Sequence, residues 1–174
     1  KPISDPVAMF GEIKDIEKGI NIILGMGETI EDIKELHRFI DTHSIKRITF
    51  YPYIPQRNTL YTRPASSFYI ARWIAETRIK FPKMQITAGT WFDRVAEIGL
   101  FLRAGANSIT NFPAFRFFNS EQARSIEEEI KNANRNLIGT LTNTKIISTI
   151  SSPEINEEVK GKLEKYITLI KSEK

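Results

Sequence analysis

Apolar residues fall along this chain in short unbroken runs, separated by longer stretches in which they recur every three or four positions. The first run, Ile20 to Leu24, is rich in β-branched residues, lacks alternation and is too short for a free-standing helix, which fits a strand covered on both faces in a parallel sheet. It halts at Gly25 and Gly27, which permit positive φ and close backbone approach. Thr29, followed three residues later by Asp32, is an N-cap signature for a helix from Thr29 to Thr42. Ile30, Ile33, Leu36, Phe39 and Ile40 share one stripe of it. A strand Arg47 to Tyr53 follows, and Pro52, lacking an N–H, ends pairing on one side. After a loop around Pro55 to Thr59 come a helix Ser67 to Lys80, stopped by Pro82, and a strand Met84 to Ala88 ending at Gly89. A helix Phe92 to Arg103 breaks at Gly105 before the strand Ala106 to Thr110. Four βα units in succession predict parallel pairing, with sites at the strand-end turns.

Strand parity sorts the side chains. Thr49, Tyr51 and Tyr53 share one face and Ile48 and Phe50 the other, so the apolar set suits a helix layer and the polar set an interior or ligand face. After strand four, Phe112, Phe115, Phe117 and Phe118 surround Arg116 and read as a lid or a packing surface. Asn119 and Ser120 cap a polar helix to about Asn136, with Glu127, Glu128 and Glu129 facing solvent. Gly139 ends that region, and Thr140 to Ser152 is rich in Thr, Ser and Asn. Ser152-Pro153 opens a last helix whose Val159, Leu163, Tyr166, Ile167 and Ile170 form a stripe that must bury against something. The expected division is residues 1–118 and a helical extension, 119–174.

Composition changes this picture little. With 174 residues and 41% hydrophobic content the chain is of ordinary domain size. A net charge of +4 is mild, and its cations are interspersed with carboxylates, so no basic stripe for nucleic acid stands out. No apolar run approaches the roughly 20 residues of a membrane span and no signal peptide is visible, so the reading is a cytoplasmic protein without membrane partners. The absence of cysteine excludes disulfides, thiolate ligation and cysteine nucleophiles within the chain. His37 and His43, six residues apart, are poorly spaced for metal or acid-base work and read as surface. Arg72 and Arg78 sit on an outer helix where solvated or ion-paired roles are expected. The start at Lys1, just before a helix pattern, leads to the expectation of a fragment.

Four segments arrive in order: Ile23-Leu24-Gly25-Met26-Gly27-Glu28-Thr29, Tyr53-Ile54-Pro55-Gln56-Arg57-Asn58-Thr59, Ile86-Thr87-Ala88-Gly89 and Ala104-Gly105-Ala106-Asn107-Ser108-Ile109. Over residues 7 to 135 the chain thereby resembles the C-terminal half of the radical S-adenosylmethionine (radical SAM) barrel, in the group that includes biotin synthase, the [FeFe]-hydrogenase maturase and methylornithine synthase. The first segment is similar to the Gly-x-Ile-x-Gly-x-x-Glu motif of strand five, and the second to the Pro-Gln-x-Gly-Thr turn of methylornithine synthase. The last two are similar to the Ser-Ala-Gly and Ala-Gly-Ala-Asn-Ser-Ile segments of biotin synthase. Departures are Asn21 for the first motif glycine, Asn58 for the turn glycine and Thr90 where biotin synthase carries arginine. The three-cysteine cluster motif is absent.

The resemblance implies an α/β fold that is half of a (βα) TIM-like barrel with outer and C-terminal helices. It implies S-adenosylmethionine as cofactor, with a [4Fe-4S] cluster whose ligands lie outside this chain. Ile23, Gly25 and Ile54 would contact the adenosyl group, and Gly27 and Glu28 would brace the turn rather than react. Tyr51, Tyr53, Gln56, Arg57, Thr87, Thr90, Thr110 and Asn111 would be drawn on for a small-molecule substrate, though alternation lets only some face inward. Arg57 reads equally well as a loop charge. The nearest branch is [Fe]-hydrogenase guanylylpyridinol cofactor maturation, with methylornithine synthase-like or hydrogenase-maturase-like enzymes as alternatives. A cluster-free binding subunit that pairs with a cluster-bearing chain is the alternative of another class. Exposed sheet edges imply a partner, either the missing N-terminal half of the barrel or a second copy.

Overall fold

A computed structural model describes residues 6–90, 94–110, 112–143 and 156–172. The chain divides into two compact units, Lys1–Thr90 with Glu97–Thr110 and Trp91–Ala96 with Asn111–Lys174.

The first unit is an α/β layer. Helix α1 (Pro6–Glu12) precedes strand β1 (Gly19–Leu24); a 3-10 turn (Ile30–Asp32) leads into α2 (Ile33–His43). Strand β2 (Arg47–Pro52), helix α3 (Ser67–Lys80), strand β3 (Gln85–Ala88), helix α4 (Ile98–Ala104) and strand β4 (Ser108–Ile109) complete it. The sheet order is β1-β2-β3-β4, and every pairing is parallel, as the βα alternation predicts. Pro52 is the last β2 residue in register, opposite Leu24, and the next N–H, that of Tyr53, reaches the Leu24 carbonyl at 2.7 Å.

One face of this sheet carries the core. Leu24, Ile48, Phe50 and Ile86 are fully buried, with Ala88 beside them. Helix α3 packs over β2 and β3 and is flanked by α2 and α4. That is why its buried set, Ile70, Ala71, Trp73, Ile74 and Thr77, covers more than one stripe. The Phe50 and Trp73 rings lie 6.4 Å apart, so the largest β2 side chain meets the largest α3 side chain at the centre. The other parity, Asn21, Ile23, Thr49, Tyr51, Thr87 and Ser108, is exposed or half-exposed.

Two residues depart from the expected roles, and a third extends the sheet. Arg78 is half-buried and clamps backbone: its Nε donates to the Gly105 carbonyl at 2.9 Å, and its Nη1 to those of Pro82 and Met84 at 2.9 and 2.8 Å. One guanidinium thus ties together the turns entering β3 and β4, and the Arg78 stem occupies the space that a Cβ on Gly105 would need. His37 is half-buried rather than on the surface, edge-on to Phe81 at 5.3 Å, with Nε2 3.4 Å from the Thr77 hydroxyl. Burial, aided by Lys80, lowers its pKa, so the ring is held neutral between α2 and α3. Asn107 continues the β3–β4 ladder with its side chain, Oδ1 accepting from the Ile86 N–H at 2.8 Å.

In the second unit α5 (Ala114–Phe117), α6 (Glu121–Asn132) and α7 (Glu157–Ser172) are described. Ser120 caps α6, its hydroxyl accepting from the Ala123 N–H at 3.1 Å as the sequence predicts. Arg116 lies over the Phe117 ring at 5.4 Å. Glu127, expected to face solvent, is half-buried and holds the following loop. Its Oε1 accepts from the Leu141 N–H at 2.6 Å and the Thr140 hydroxyl at 3.0 Å, and its Oε2 from the Thr142 hydroxyl at 2.7 Å. Ser152-Pro153 lies outside the described residues.

Replacing Arg78 by Met strands several carbonyls and should cost about 2 kcal/mol in urea unfolding. Arg72→Met, which breaks only the exposed pair with Glu76, should cost less than about 1 kcal/mol. Equal losses would remove the carbonyl clamp. Burial opposes ionisation of Glu127, but its three donors outweigh it and the pKa falls below the ordinary 4.5. The stabilisation is therefore present above about pH 4.5 and is lost as pH falls through the lower folded value. Stability curves of wild type and Glu127→Gln should converge in that acid range; a gap that stays constant to lower pH would assign the effect to shape rather than charge.

Candidate functional site

The C-terminal ends of parallel strands are where βα folds build their sites. At this end the turn after β1 is stapled by one carboxylate. Glu28 accepts from the Gly25 N–H at 2.6 Å and from the Met26 N–H at 2.9 Å. Its own backbone carbonyl accepts from the Tyr69 hydroxyl at 3.0 Å. Burial, with Glu28 and Asp32 nearby, raises the Tyr69 pKa, so the phenol remains a donor at neutral pH. Two of the donors that a Gly-rich turn can offer to a phosphate are therefore already taken by an internal anion.

Gly25 and Gly27 have φ of 109° and 103°, which favour glycine. Their missing side chains also leave room for the segment that follows β2. A Cβ on Gly25 would lie 3.0 Å from the Ala65 nitrogen, and one on Gly27 would lie 2.8 Å from the Tyr61 hydroxyl. The close approach that the two glycines allow is filled by protein here. That segment is organised around Thr59: the Tyr53 hydroxyl donates to Thr59 Oγ1 at 2.8 Å, and Oγ1 lies 2.8 Å from the Gln56 carbonyl. The Gln56 amide reaches the Ile54 carbonyl at 3.3 Å. Asn58 takes a left-handed φ of 64°, as expected of the residue standing in for a turn glycine.

Register then builds a surface on the polar side of the sheet. Ile23 stands opposite Tyr51, and Asn21, Thr49, Thr87 and Ser108 line up across all four strands. The Thr87 and Ser108 hydroxyls are 2.6 Å apart. The Tyr51 ring lies over Gly89, where a Cβ would come within 2.2 Å of a ring carbon. Ile23, 50% exposed, and Ile54, 40% exposed, are apolar side chains left open at neighbouring strand ends.

The expected site residues therefore divide. Ile23 and Tyr51 come together by register, and Thr87 shares their strand parity one level below. Tyr53 and Gln56 meet at Thr59 in the β2–α3 loop. Thr90 is buried, and its hydroxyl donates to the Thr110 carbonyl at 3.0 Å, which commits its proton within the protein. The Thr110 hydroxyl is buried with no hydrogen-bond partner among the described residues. Arg57 is exposed on the loop and has no ion-pair partner among the described residues. Asn111 lies outside the described residues. Thr49 joins the surface, as strand parity predicts, and so do Asn21 and Ser108, which the same parity could have raised. Tyr61 and Tyr69 brace the turn after β1 through contacts distant in sequence, for which the local pattern holds no signal.

The Tyr51–Gly89 contact makes a sharp test. Gly89→Ala should cost about 1–3 kcal/mol by displacing the ring. Tyr51→Ala in the same chain should remove most of that added cost, giving strong non-additivity in urea unfolding. Additive losses would mean that the ring does not occupy the glycine's space.

No family model matches the chain. It is 38% identical over 150 residues, 83% of its length, to a protein of Methanocaldococcus jannaschii that is described only as uncharacterised. The chain spans 42% of the length of that relative.

Proposed function

We propose that this chain is the C-terminal half of a radical SAM (βα) barrel, whose full protein belongs to a cofactor-biosynthesis enzyme. Its motifs look most like the [Fe]-hydrogenase guanylylpyridinol cofactor protein HmdB. The observation that carries the reading is the pairing of Ile23 with Tyr51 at the C-terminal strand ends, on the polar side of a parallel sheet, in the segment order of the resemblance. Methylornithine synthase-like chemistry is the next reading.

The residues present fit an adenosyl group. Ile23 and Ile54 offer open apolar surface for a purine face. The backbone N–H of Ile54, which has no partner among the described residues, is available to an adenine ring nitrogen. Glu28 does not touch the ligand in this reading, and Gly25 stands beside the ligand at the turn. They hold the turn so that Ile23 is presented at a fixed height, and Gly27 gives Tyr61 its seat. Bound S-adenosylmethionine would supply, with an electron from a cluster held elsewhere, the carbon radical that begins the reaction. This half of the barrel has no cysteine to hold such a cluster. Its residues bind, orient and exclude water, with Tyr51, Thr49 and Thr87 on the face where a small-molecule substrate would lie.

Full-length protein reconstituted with iron and sulfide under reducing conditions should form 5′-deoxyadenosine from S-adenosylmethionine, and this chain alone should not. Ile23→Asp should weaken S-adenosylmethionine binding by at least about tenfold, since it sets a charge against an apolar face. Binding without cleavage by the full-length protein would instead favour a cluster-free subunit. Unchanged binding by the variant would remove Ile23 from the site.

A further inference from the structure

The starts of β2 and β3, at the end of the sheet away from Gly25, Tyr53 and Gly89, border a groove of about 540 Å3. Its floor is apolar: Ile45 and Met84 are buried, and Phe81 is half-buried. Its rim is basic. Lys46, Arg47, Lys80 and Lys83 line it together with one carboxylate, Glu17.

Four exposed helix cations stand a turn from a carboxylate: Lys34 by Glu31, Arg38 by Glu35, Arg72 by Glu76 and Lys162 by Glu158. In the groove, Lys46, Arg47 and Lys83 are exposed and have no ion-pair partner among the described residues. Lys80 is held only at 3.9 Å from Asp41 and also lies over the Phe81 ring at 5.9 Å. The backbone at this end is satisfied internally, because the N–H groups of Lys46 and Arg47 reach the Lys18 carbonyl and that of Gln85 reaches the Lys46 carbonyl. Side-chain charge is what the groove has to offer. Four cations bordering one groove raise the local concentration of anions there.

We propose that this groove binds a small organic phosphate. Arg47 supplies a planar fork suited to two phosphate oxygens, and Lys46, Lys80 and Lys83 supply point charges around it. The apolar body of the ligand rests against Met84 and the open part of the Phe81 ring. The volume lies within the usual range for small-molecule sites. A long acidic peptide would need a track of cations beyond the groove, whereas these four sit around one hollow. The proposal is independent of the radical SAM reading, since its residues lie at the other end of the strands.

Isothermal titration of this chain with inorganic pyrophosphate and with ATP tests it. Both should bind, ATP more tightly because pyrophosphate leaves the floor empty, and both should weaken as salt is raised. The double variant Lys46→Gln/Lys83→Gln should lose at least about tenfold in affinity for each, as should Arg47→Gln. Arg72→Gln, on the solvent side of α3, should bind as wild type does. These rim side chains are exposed, and circular dichroism confirms that the variants fold. No detectable binding of either probe overturns the proposal, as does unchanged affinity in the groove variants. Binding of a polyglutamate peptide with the same rim dependence, without pyrophosphate binding, overturns it in favour of an acidic peptide.

Discussion

The first unit depends on the two-sidedness of β2. Its even-numbered residues, Ile48, Phe50 and Pro52, are buried toward α3, and its odd-numbered residues, Arg47, Thr49 and Tyr51, face the other way. Because β2 pairs in parallel register with β1 and β3, that division is imposed on both neighbours. A slip of one residue would bring Thr49 under Trp73 and turn Phe50 to the polar side, at the cost of several kcal/mol of apolar burial. The register that protects the core therefore also sets Ile23 beside Tyr51 and aligns four hydrogen-bonding side chains across the sheet. Fold and candidate site follow from the same constraint.

The glycine turn after β1 shows how a local sequence signal can point to the right place for an incomplete reason. Glycine permits positive φ and close approach, and both are present at Gly25 and Gly27. The groups that approach are Ala65 and Tyr61, and the Gly25 and Met26 N–H groups of the turn are satisfied by Glu28. What the turn offers outward is a rigid placement of Ile23 and Met26, both substantially exposed. That arrangement suits an apolar ligand face better than a phosphate.

The elements were legible because each is short and locally determined. Helix α3 begins and ends where Ser66 caps it and Pro82 stops it, and β2 and β3 are apolar on the alternate positions that meet the helices. The unbroken run of β1, read as covered on both faces, instead leaves Asn21 and Ile23 exposed, because no layer among the described residues of this unit covers that side of the sheet. Four-strand parallel pairing followed from the βα alternation alone. Less legible were roles that depend on partners far along the chain. Arg78 looks like any arginine on an outer helix turn until Gly105 and Met84 are brought beside it. Glu127 sits in a run of three glutamates, and only the return of Thr140 to Thr142 separates it from its neighbours. His37 reads as a surface residue until Phe81 closes over it. Among the expected site residues, Thr90 was aimed at a substrate by position, but its hydroxyl is committed to the Thr110 carbonyl.

The proposed adenosyl site at the strand ends around Ile23 and Ile54 can be seen in a crystal structure of the full-length protein grown with S-adenosylmethionine. The adenine is expected in van der Waals contact with the Ile23 side chain, with its ring edge at the Ile54 backbone. Density for the nucleoside elsewhere, with Ile23 in contact only with protein, would rule the site out.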